Sequence, residues 1–458
     1  MRPSPAPPPP TRLAFLFATP QQQQTNFSFP LNTHQQITIL RLSTTPMIPA
    51  MDLHLLRSPP GVRFFRRHPS PAPLRRRFFT VSSILPFAKE KAKYHIELEA
   101  AVELVERACS LCIDVQRSLL SDGRILEKND QTPVTVADFG VQALVSLELG
   151  KLFPSIPLVA EEDSGFLQSQ NLVDLVVSAV SDKTSFHEES FSHADVLEAI
   201  DRGERTEFGT KPATYWILDP IDGTRGFVNG SKALYVVGLS LVVEGEIMLG
   251  VMGCPNWVVD TSHRSITGYK NSSPGLGIIM VAHVDCGTWT KRLRHMLDSS
   301  FKPSSDWTRC FVDGCSLVHK ANFCIPDSQA WESLPLSVFY DATTNDNDDI
   351  RDKEIRLLPF CCGSLCKYLM VASGGASVFI LEVKPERVTK AWDHAAGMIC
   401  VHEAGGKVTD WEGSELDLAA DQVKRRIIYP AGGVLVTNGK IHQQIVEMIS
   451  SSSTVVRH

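Results

Sequence analysis

Long apolar runs are missing from this chain of 458 residues. No stretch reaches the roughly 18 uninterrupted apolar residues that a membrane span needs, so we expect no membrane partner. An excess of positive charge is missing as well. The net charge is -6, which gives no general attraction to nucleic acid or to anionic surfaces. We therefore expect no nucleic-acid partner, and any binding of a phosphorylated ligand must come from a local site.

A clear zinc-site pattern is also missing. The eleven cysteines are scattered, and Cys361, Cys362 and Cys366 crowd one short stretch without the paired spacing of a zinc site. Cys109 and Cys112 form a C-x-x-C, but they fall within an apolar helical repeat, which favours packing in the core over redox chemistry. We interpret the cysteines as small buried residues in a reducing compartment.

Acidic residues are almost absent from residues 1–88, where Asp52 is the only one. This segment contains proline and glutamine runs, many Ser and Thr, and repeated arginines such as Arg75 to Arg77, and we expect it to be disordered. The composition is typical of an organellar transit peptide and predicts import into a mitochondrion, with the chloroplast as the alternative. A generic disordered tail is a competing interpretation. So is an upstream extension before a start at Met47 or Met51.

From about Lys89 onward the apolar pattern becomes periodic. It predicts a long helix at 94–120 and a second helix at 137–152. Strands are predicted at 157–160, 215–218, 234–243, 246–254, 277–282 and 433–436, and shorter helices at 194–200 and 440–449. Helices that bracket a mostly antiparallel sheet, followed by a smaller unit alternating strand and helix, predict a layered α/β fold. We expect two sub-domains, residues 89–280 and 281–458, with a cleft between them.

The strongest local signal is the sequence Asp-Pro-Ile-Asp-Gly-Thr at residues 219–224, directly after an apolar strand. It places the carboxylates of Asp219 and Asp222 at a strand end. Gly223 lets the chain bend, so that both carboxylates and the Ile221 carbonyl can face one hard cation. If a helix begins after this turn, its first N–H groups form a cradle for phosphate. An ordinary Asp-Pro turn is the alternative.

Magnesium-assisted phosphate hydrolysis needs more acidic residues than these two, and three other segments offer them. Glu161 and Glu162 follow a short apolar strand, while Asp138 and Asp393 lie near the starts of predicted helices. Each has an ordinary alternative, a solvated acidic loop for the glutamates and a helix cap for the aspartates. No single segment of the three therefore establishes a site.

Taken together, these segments match a family pattern in content, order and separation. Residues 219–227, with VLEAIDRG at 196–203, WDHAAG at 392–397 and VHEAGG at 401–406, resemble the 3′(2′),5′-bisphosphate nucleotidase branch of the inositol monophosphatase family. The resemblance runs from about residue 94 to residue 449. It implies alternating α/β/α/β/α layers with a metal site between two sub-domains.

The resemblance also implies two or three bound Mg²⁺ ions and a role for each matching residue. The implied metal ligands are Glu161, Asp219, the Ile221 carbonyl, Asp222 and Asp393, with Glu162 supporting them. The implied water-handling residues are Asp138 and Thr224, and the implied substrate contacts are Gly223, Thr224, His283, Ser364 and Lys367. A helix-capping serine and a solvated lysine are the ordinary alternatives for the last two.

The implied activity is a magnesium-dependent, lithium-sensitive phosphatase that acts on adenosine 3′,5′-bisphosphate and also on its sulfated relative. We expect it to be a monomer or a weak dimer. One alternative is an inositol polyphosphate 1-phosphatase or inositol monophosphatase that uses the same metal site. Another is a non-catalytic nucleotide sensor.

Two departures from the nucleotidase pattern remove positive charge from the substrate side. Ile380 and Leu381 occupy a region where these enzymes carry an arginine, and Asn229 stands where a basic residue is common. Lys384 or Arg387 is the candidate replacement for the arginine. The sequence therefore leaves recognition of the second phosphate open.

Overall fold

The structure, a computed structural model, provides the arrangement of the chain outside its N-terminal segment. It describes residues 85–122, 126–127, 133–185, 191–209, 211, 213–229, 233–257, 277–293, 307–344, 353–361 and 363–455. Nearly all of the predicted targeting segment, and Cys362, lie outside the described residues. Among the described residues, none of the helices combines the length and the apolar character of a membrane span.

The helices and strands are numbered in chain order. The helices are α1 (His95–Asp122), α2 (Val136–Leu152), α3 (Ser164–Ser169), α4 (Val173–Ser181), α5 (His193–Arg205), α6 (Thr224–Val228), α7 (Leu365–Ala372), α8 (Ala395–Glu403) and α9 (His442–Val455). The strands are β1 (Leu126–Glu127), β2 (Pro133–Val134), β3 (Leu158–Ala160), β4 (Tyr215–Asp222), β5 (Val236–Val243), β6 (Glu246–Cys254), β7 (Ile278–His283), β8 (Gly287–Arg292), β9 (Thr308–Arg309), β10 (Asn322–Pro326), β11 (Asp341–Thr343), β12 (Glu354–Phe360), β13 (Val378–Glu382), β14 (Thr389–Lys390), β15 (Lys407–Asp410), β16 (Ile427–Ile428) and β17 (Gly433–Thr437).

Two large sheets organise the part of the chain that the structure describes. The first has seven strands in the order β3 to β9, and it is antiparallel except for the parallel pair β3 and β4. The second has six strands in the order β11-β12-β10-β13-β17-β15, and it mixes parallel and antiparallel pairs. A short ribbon of two strands, β14 and β16, lies in neither sheet.

The first sheet is covered by helices on both faces. Successive strand residues point to opposite faces, so Trp216 and Leu218 of β4 join a buried cluster with α1 and α2. Tyr215 and Ile217, which alternate with them, join a second cluster with α7 and α8. Burial on both faces explains why β4 and β5 are apolar along nearly their whole length. It also fixes the register of β4 and therefore the position of the acidic turn at its end.

The second sheet adds two more layers. Phe379 and Val436 on one face pack into the cluster that contains α7 and α8. Ile380 and Leu435 on the other face pack against Ile445 of α9. The resulting order is α1 and α2, first sheet, α7 and α8, second sheet, α9. This order confirms the predicted α/β/α/β/α layers.

Most predicted elements are confirmed with shifts of a few residues at their ends. The predicted alternation of strand and helix after residue 282 is wrong at its start, because β8 and β9 pair onto β7 and extend the first sheet to Arg309. Residue 280, the predicted sub-domain boundary, lies inside β7. The division into two sub-domains itself stays a prediction.

The cysteines of α1 are core residues. Cys109 and Cys112 are almost fully buried, and burial raises the pKa of both thiols well above the usual value. Thiols of this kind are inert, because the thiolate is the reactive form.

Cys361 departs from the interpretation of the cysteines as buried residues in a reducing compartment, since it is partly exposed and disulfide-bonded.

Candidate active site

The turn that follows β4 has the geometry that its sequence predicts. β4 ends at Asp222, Gly223 adopts a φ of 89°, and α6 begins at Thr224. This φ lies in the left-handed region that favours glycine. Asp219 and Asp222 are almost fully buried at the end of the strand. An ordinary solvent-exposed Asp-Pro turn is therefore excluded.

Three aspartates from distant parts of the chain converge at this point. Carboxylate oxygens of Asp219, Asp222 and Asp393 lie within 4.8 Å of one another. Asp393 precedes α8, whose N-cap residue is His394, so the helix-cap alternative for Asp393 is wrong. Three like charges at this separation repel one another unless protons or cations neutralise them.

The surroundings raise the pKa of two of these carboxyls far above the usual range. Burial is the main cause for Asp219 and for Asp393, and the neighbouring charges of Asp222 and Glu161 add to it. Neither buried side-chain oxygen of Asp219 has a hydrogen-bond partner among the described residues. Buried oxygens without a donor are costly unless a cation binds them. Carboxylates are the ligands that Mg²⁺ prefers, so this group fits a divalent metal ion.

Asp222 differs because its carboxylate accepts two backbone hydrogen bonds. Its Oδ1 accepts one from Ser364 N at 2.8 Å, and its Oδ2 accepts one from Leu365 N at 2.7 Å. Burial raises the pKa of Asp222 to about 6, and the two hydrogen bonds and the Lys367 charge oppose that rise. Gly363 has a φ of 67°, and a Cβ there would clash with the Asp222 carboxylate. Asp222 thus holds the start of α7 against the end of β4.

Asp138 lies beside this group and uses its two oxygens differently. Its Oδ2 accepts hydrogen bonds from Thr135 N at 2.8 Å and Thr135 Oγ1 at 2.7 Å, so the helix-cap alternative holds for this oxygen at the start of α2. Its Oδ1 lies 3.2 Å from Thr224 Oγ1, which is also 3.1 Å from the Ile221 carbonyl oxygen. The Thr224 hydroxyl has one proton and donates it to one of these two oxygens at a time. The capping role therefore leaves one Asp138 oxygen available to Thr224.

A cavity of about 430 Å³ opens over the three aspartates. This volume is in the range of small-molecule sites. The predicted site residues that line it are Glu161, Asp219, Ile221, Asp222, Gly223, Thr224, Ser364, Lys367 and Asp393. Lys367 is 1% exposed, so the solvated-lysine alternative is wrong, and the Ser364 side chain makes no capping hydrogen bond.

Three predicted site residues lie outside the cavity lining, namely Asp138, Glu162 and His283. Glu162 is buried, and its backbone is held by Gln142: Glu162 N donates a hydrogen bond to Gln142 Oε1 at 2.8 Å, and Gln142 Nε2 donates one to Glu162 O at 2.6 Å. The solvated-loop alternative is therefore wrong for Glu162. His283 is also buried, with its ring nitrogens 3.4 Å from Tyr94 N and 2.8 Å from Val284 O. Since β7 lies three strands from β4, the structure does not bring His283 to the site.

The structure adds cavity residues that sequence reasoning missed. Lys390 and Trp392 line the cavity, and the Lys390 Nζ is 5.5 Å from the centre of the Trp392 ring. The Arg426 guanidinium lies 4.9 Å from the same ring and donates a hydrogen bond to Glu161 O at 3.1 Å. Lys390 lies three residues before Asp393 in the sequence, and this closeness could have indicated that Lys390 lies near the site. Arg426 had none, because it lies 265 residues from Glu161 in the sequence.

Residues 90–454 match the model of the inositol monophosphatase family. The chain belongs to this family. A curated relative from Arabidopsis thaliana, named "Putative 3′(2′),5′-bisphosphate nucleotidase, mitochondrial", is 62% identical over 389 residues, which cover 84% of this chain and 94% of the relative. Another Arabidopsis thaliana relative, 3′,5′-bisphosphate nucleotidase 2, is 33% identical over 78% of this chain and 97% of its own length. A solved structure, the Thermotoga maritima IMPase, is similar with a TM-score of 0.45 and 20% identity over 79% of this chain and 99% of its own.

Membership of the inositol monophosphatase family defines the general chemistry. Its members are metal-dependent phosphatases, so the chain is an enzyme that hydrolyses a phosphate ester. The resemblance inferred from the sequence motifs is thereby confirmed. The acidic group formed by Asp219, Asp222 and Asp393 is the part of this chain that could hold the metal.

Proposed function

We propose that this enzyme is a magnesium-dependent, lithium-sensitive phosphatase that converts adenosine 3′,5′-bisphosphate to AMP and phosphate, and that it also acts on the 3′-phosphate of the sulfated relative. The observation that carries the metal chemistry is the convergence of Asp219, Asp222 and Asp393 within 4.8 Å. The names of the curated relatives support the choice of substrate.

Glu161, Asp219, Asp222, Asp393 and the Ile221 carbonyl are the proposed metal ligands, and all five residues line the cavity. Two or three divalent ions bound there would neutralise the phosphate oxygens and acidify a water molecule. Glu162 is proposed to support the adjacent Glu161. Lithium sensitivity is proposed from the family resemblance, as replacement of one weakly held ion.

Thr224 and Asp138 are the proposed water-handling pair. When the Thr224 hydroxyl donates to Asp138 Oδ1, its oxygen is free to accept a hydrogen bond from the attacking water. The water proton then passes to Thr224 as the Thr224 proton passes to Asp138. The water oxygen bonds to phosphorus, the bond between phosphorus and the 3′ oxygen breaks, and that oxygen takes up a proton from solvent water, while Asp138 returns the relayed proton to solvent. The pair thereby acts as a general base through one relayed proton.

The proposed substrate contacts are Gly223, Thr224, Ser364 and Lys367, each of which lines the cavity. Ser364 and Lys367 lie at the start of α7, which Asp222 fixes in position. A substrate held there lies next to the proposed metal ligands. This position suits a phosphate ester whose second polar group extends away from the aspartates.

Phosphate release from a panel of substrates tests the proposal. The purified full-length chain with Mg²⁺ is expected to hydrolyse adenosine 3′,5′-bisphosphate faster than inositol 1,4-bisphosphate or inositol 1-phosphate, and lithium is expected to inhibit it. Asp393→Asn is expected to lower kcat by at least about 100-fold, while Asp341→Asn, an exposed control, keeps the wild-type rate. Preferential hydrolysis of an inositol phosphate would contradict the proposed substrate. Nucleotide binding without turnover would favour the sensor.

We also propose that residues 1–88 direct the chain to the mitochondrion. The support is the basic, nearly acid-free composition of this segment and the word "mitochondrial" in the name of the relative that is 62% identical. The chloroplast is the alternative destination.

A further inference from the structure

A bisphosphate substrate needs a cation for the phosphate that is not hydrolysed. Such a phosphate is a dianion near neutral pH and is bound best by charge-assisted hydrogen bonds. Among the described residues that line the cavity, the basic side chains are Arg225, Lys367 and Lys390. These three differ in how they are held.

Lys367 is already committed to the protein. It is 1% exposed, its Nζ donates a hydrogen bond to Gly363 O, and its charge opposes the rise in the pKa of Asp222. These contacts hold the loop that precedes α7 and stabilise the Asp222 carboxylate. They leave Lys367 only part of its hydrogen-bonding capacity for a ligand.

Arg225 lies at the start of α6, beside the proposed water-handling residue Thr224. It directly follows Thr224 in α6, and it is exposed. No contact within the described part of the chain holds its guanidinium in one position. Binding through Arg225 would therefore cost the conformational entropy of a long free side chain. Its place next to the water-handling pair suits the phosphate that reacts.

Lys390 has a fixed backbone, and its charge opposes part of the rise in the pKa of the nearby Asp393 carboxyl. Its strand β14 pairs with β16 through Lys390 and Ile427, and the pairing continues with a hydrogen bond of 2.9 Å from Ala391 N to Arg426 O. The Nζ is 5.5 Å from the centre of the Trp392 ring, and Trp392 is 3% exposed. No carboxylate in the described ranges forms an ion pair with Lys390. It is the basic group of the cavity that is both oriented and available.

The positions proposed from the sequence for the missing arginine do not supply this charge. Ile380 is fully buried in the second sheet, and Leu381 packs against the core. Lys384 and Arg387 are exposed and do not line the cavity. Lys390, in the ribbon that follows, is the charge that the structure places in the cavity instead.

We propose that Lys390, oriented by the Trp392 ring, binds the second phosphate of the substrate and sets the preference for a bisphosphate nucleotide. This inference rests on the proposed function. It makes Lys390 a specificity-determining residue. Hydrolysis itself depends on the aspartates and the Thr224 hydroxyl.

Inhibition by each of the two reaction products reports on a different phosphate subsite. AMP retains the second phosphate, whereas inorganic phosphate reports on the subsite of the phosphate that reacts. Steady-state kinetics with adenosine 3′,5′-bisphosphate at saturating Mg²⁺ would be measured for wild type, Lys390→Met and Lys390→Arg. Methionine keeps the length of the side chain and removes its charge. Lys320→Met, at an exposed position in a turn before β10, is the matched control.

Lys390→Met is expected to raise the KM for the bisphosphate and the inhibition constant of AMP together, each about 10- to 100-fold, as expected for a lost charge-assisted hydrogen bond. The inhibition constant of inorganic phosphate and kcat are expected to change less than about twofold. Lys390→Arg is expected to recover most of the affinity, and Lys320→Met to match wild type.

Equal weakening of AMP and inorganic phosphate, or unchanged constants for both, would overturn the inference. So would a fall in kcat with an unchanged KM, which would place Lys390 at the reacting phosphate. A wild-type enzyme that releases no phosphate from the bisphosphate would refute the proposed function instead. The two failures are therefore distinguishable.

Discussion

Replacing Asp219 and Asp222 by asparagine, one at a time, is expected to abolish activity in both cases but to change stability differently. The two residues lie three positions apart on the same strand, and both are almost fully buried. Asp222 accepts two backbone hydrogen bonds, whereas neither side-chain oxygen of Asp219 has a hydrogen-bond partner among the described residues. In the metal-free protein, the charge of Asp219 is therefore the less compensated of the two.

The magnitude follows from the pKa values. A rise in the pKa of Asp222 from 3.8 to about 6 costs its ionised form about 3 kcal/mol in the folded state. Asp219 accepts no such backbone hydrogen bonds, and burial, followed by the neighbouring carboxylates, raises its pKa well above the usual value. Asp219→Asn is thus expected to stabilise the metal-free protein, and by more than Asp222→Asn does.

Asp222→Asn involves two opposing changes. The variant is relieved of about 3 kcal/mol of charge burial, but its amide group faces a backbone N–H and forfeits a hydrogen bond of about 1.5 to 3 kcal/mol. The free energy of unfolding of the metal-free variant is therefore expected to lie within about 1 to 2 kcal/mol of wild type. Asp219→Asn and Asp222→Asn form a matched pair, with the same chemical change on the same strand.

The dependence of stability on pH tests independently whether Asp219→Asn stabilises the metal-free protein. Because the folded-state pKa of Asp219 is raised, its carboxyl destabilises wild type progressively as pH increases from about 4 to 7.5. The variant lacks this contribution and keeps only those of Asp222 and Asp393. The assay is urea unfolding with a chelator and with Mg²⁺ at both pH values. Mg²⁺ is expected to stabilise wild type and neither variant. Lower stability of metal-free Asp219→Asn at pH 7.5, or an advantage that shrinks as pH rises, would refute the reasoning.

Two further predictions concern the turn before α7 and the N-terminal segment. Gly363→Ala is expected to lower kcat/KM at least about tenfold and to lower the melting temperature, because the new Cβ displaces the Asp222 carboxylate, whereas Gly209→Ala has open space around it and is expected to match wild type. Wild-type kinetics for Gly363→Ala would contradict this account. Residues 1–88 fused to a fluorescent protein are expected to carry it into mitochondria, and fluorescence in chloroplasts or the cytosol would contradict the proposed destination.

The parts of the site that are local in sequence could be predicted from it. Within residues 219–224, a buried strand, a left-handed glycine and a helix start follow one another, and each has its own residue signal. The capping role of Asp138 is also local, since Thr135 lies three residues away. These features depend on backbone conformation over a few residues. The apolar run on β4 likewise predicted a strand.

The parts that depend on distant pairing could not be predicted from residue patterns. Asp393 fits a helix cap equally well by sequence, and only the packing of α8 against the first sheet brings it to Asp219. The placement of Lys390 depends on pairing between β14 and β16, two strands of two residues each that carry no strong pattern. His283 was wrongly expected at the site for the same reason, because the order of strands in a sheet is not a local property.

The carboxylate of Asp222 is a common anchor for two functions. It belongs to the acidic group, and it also fixes the start of α7, from which Ser364 and Lys367 reach the cavity. A mutation that moves α7 to suit another substrate would disturb the acidic group as well. No hydrogen bond in the described structure joins the ribbon that carries Lys390 to the aspartates. Substitutions in the ribbon should therefore disturb the acidic group less than substitutions in α7. Divergence of substrate preference on this scaffold is therefore expected to proceed through the ribbon, while α7 stays constrained.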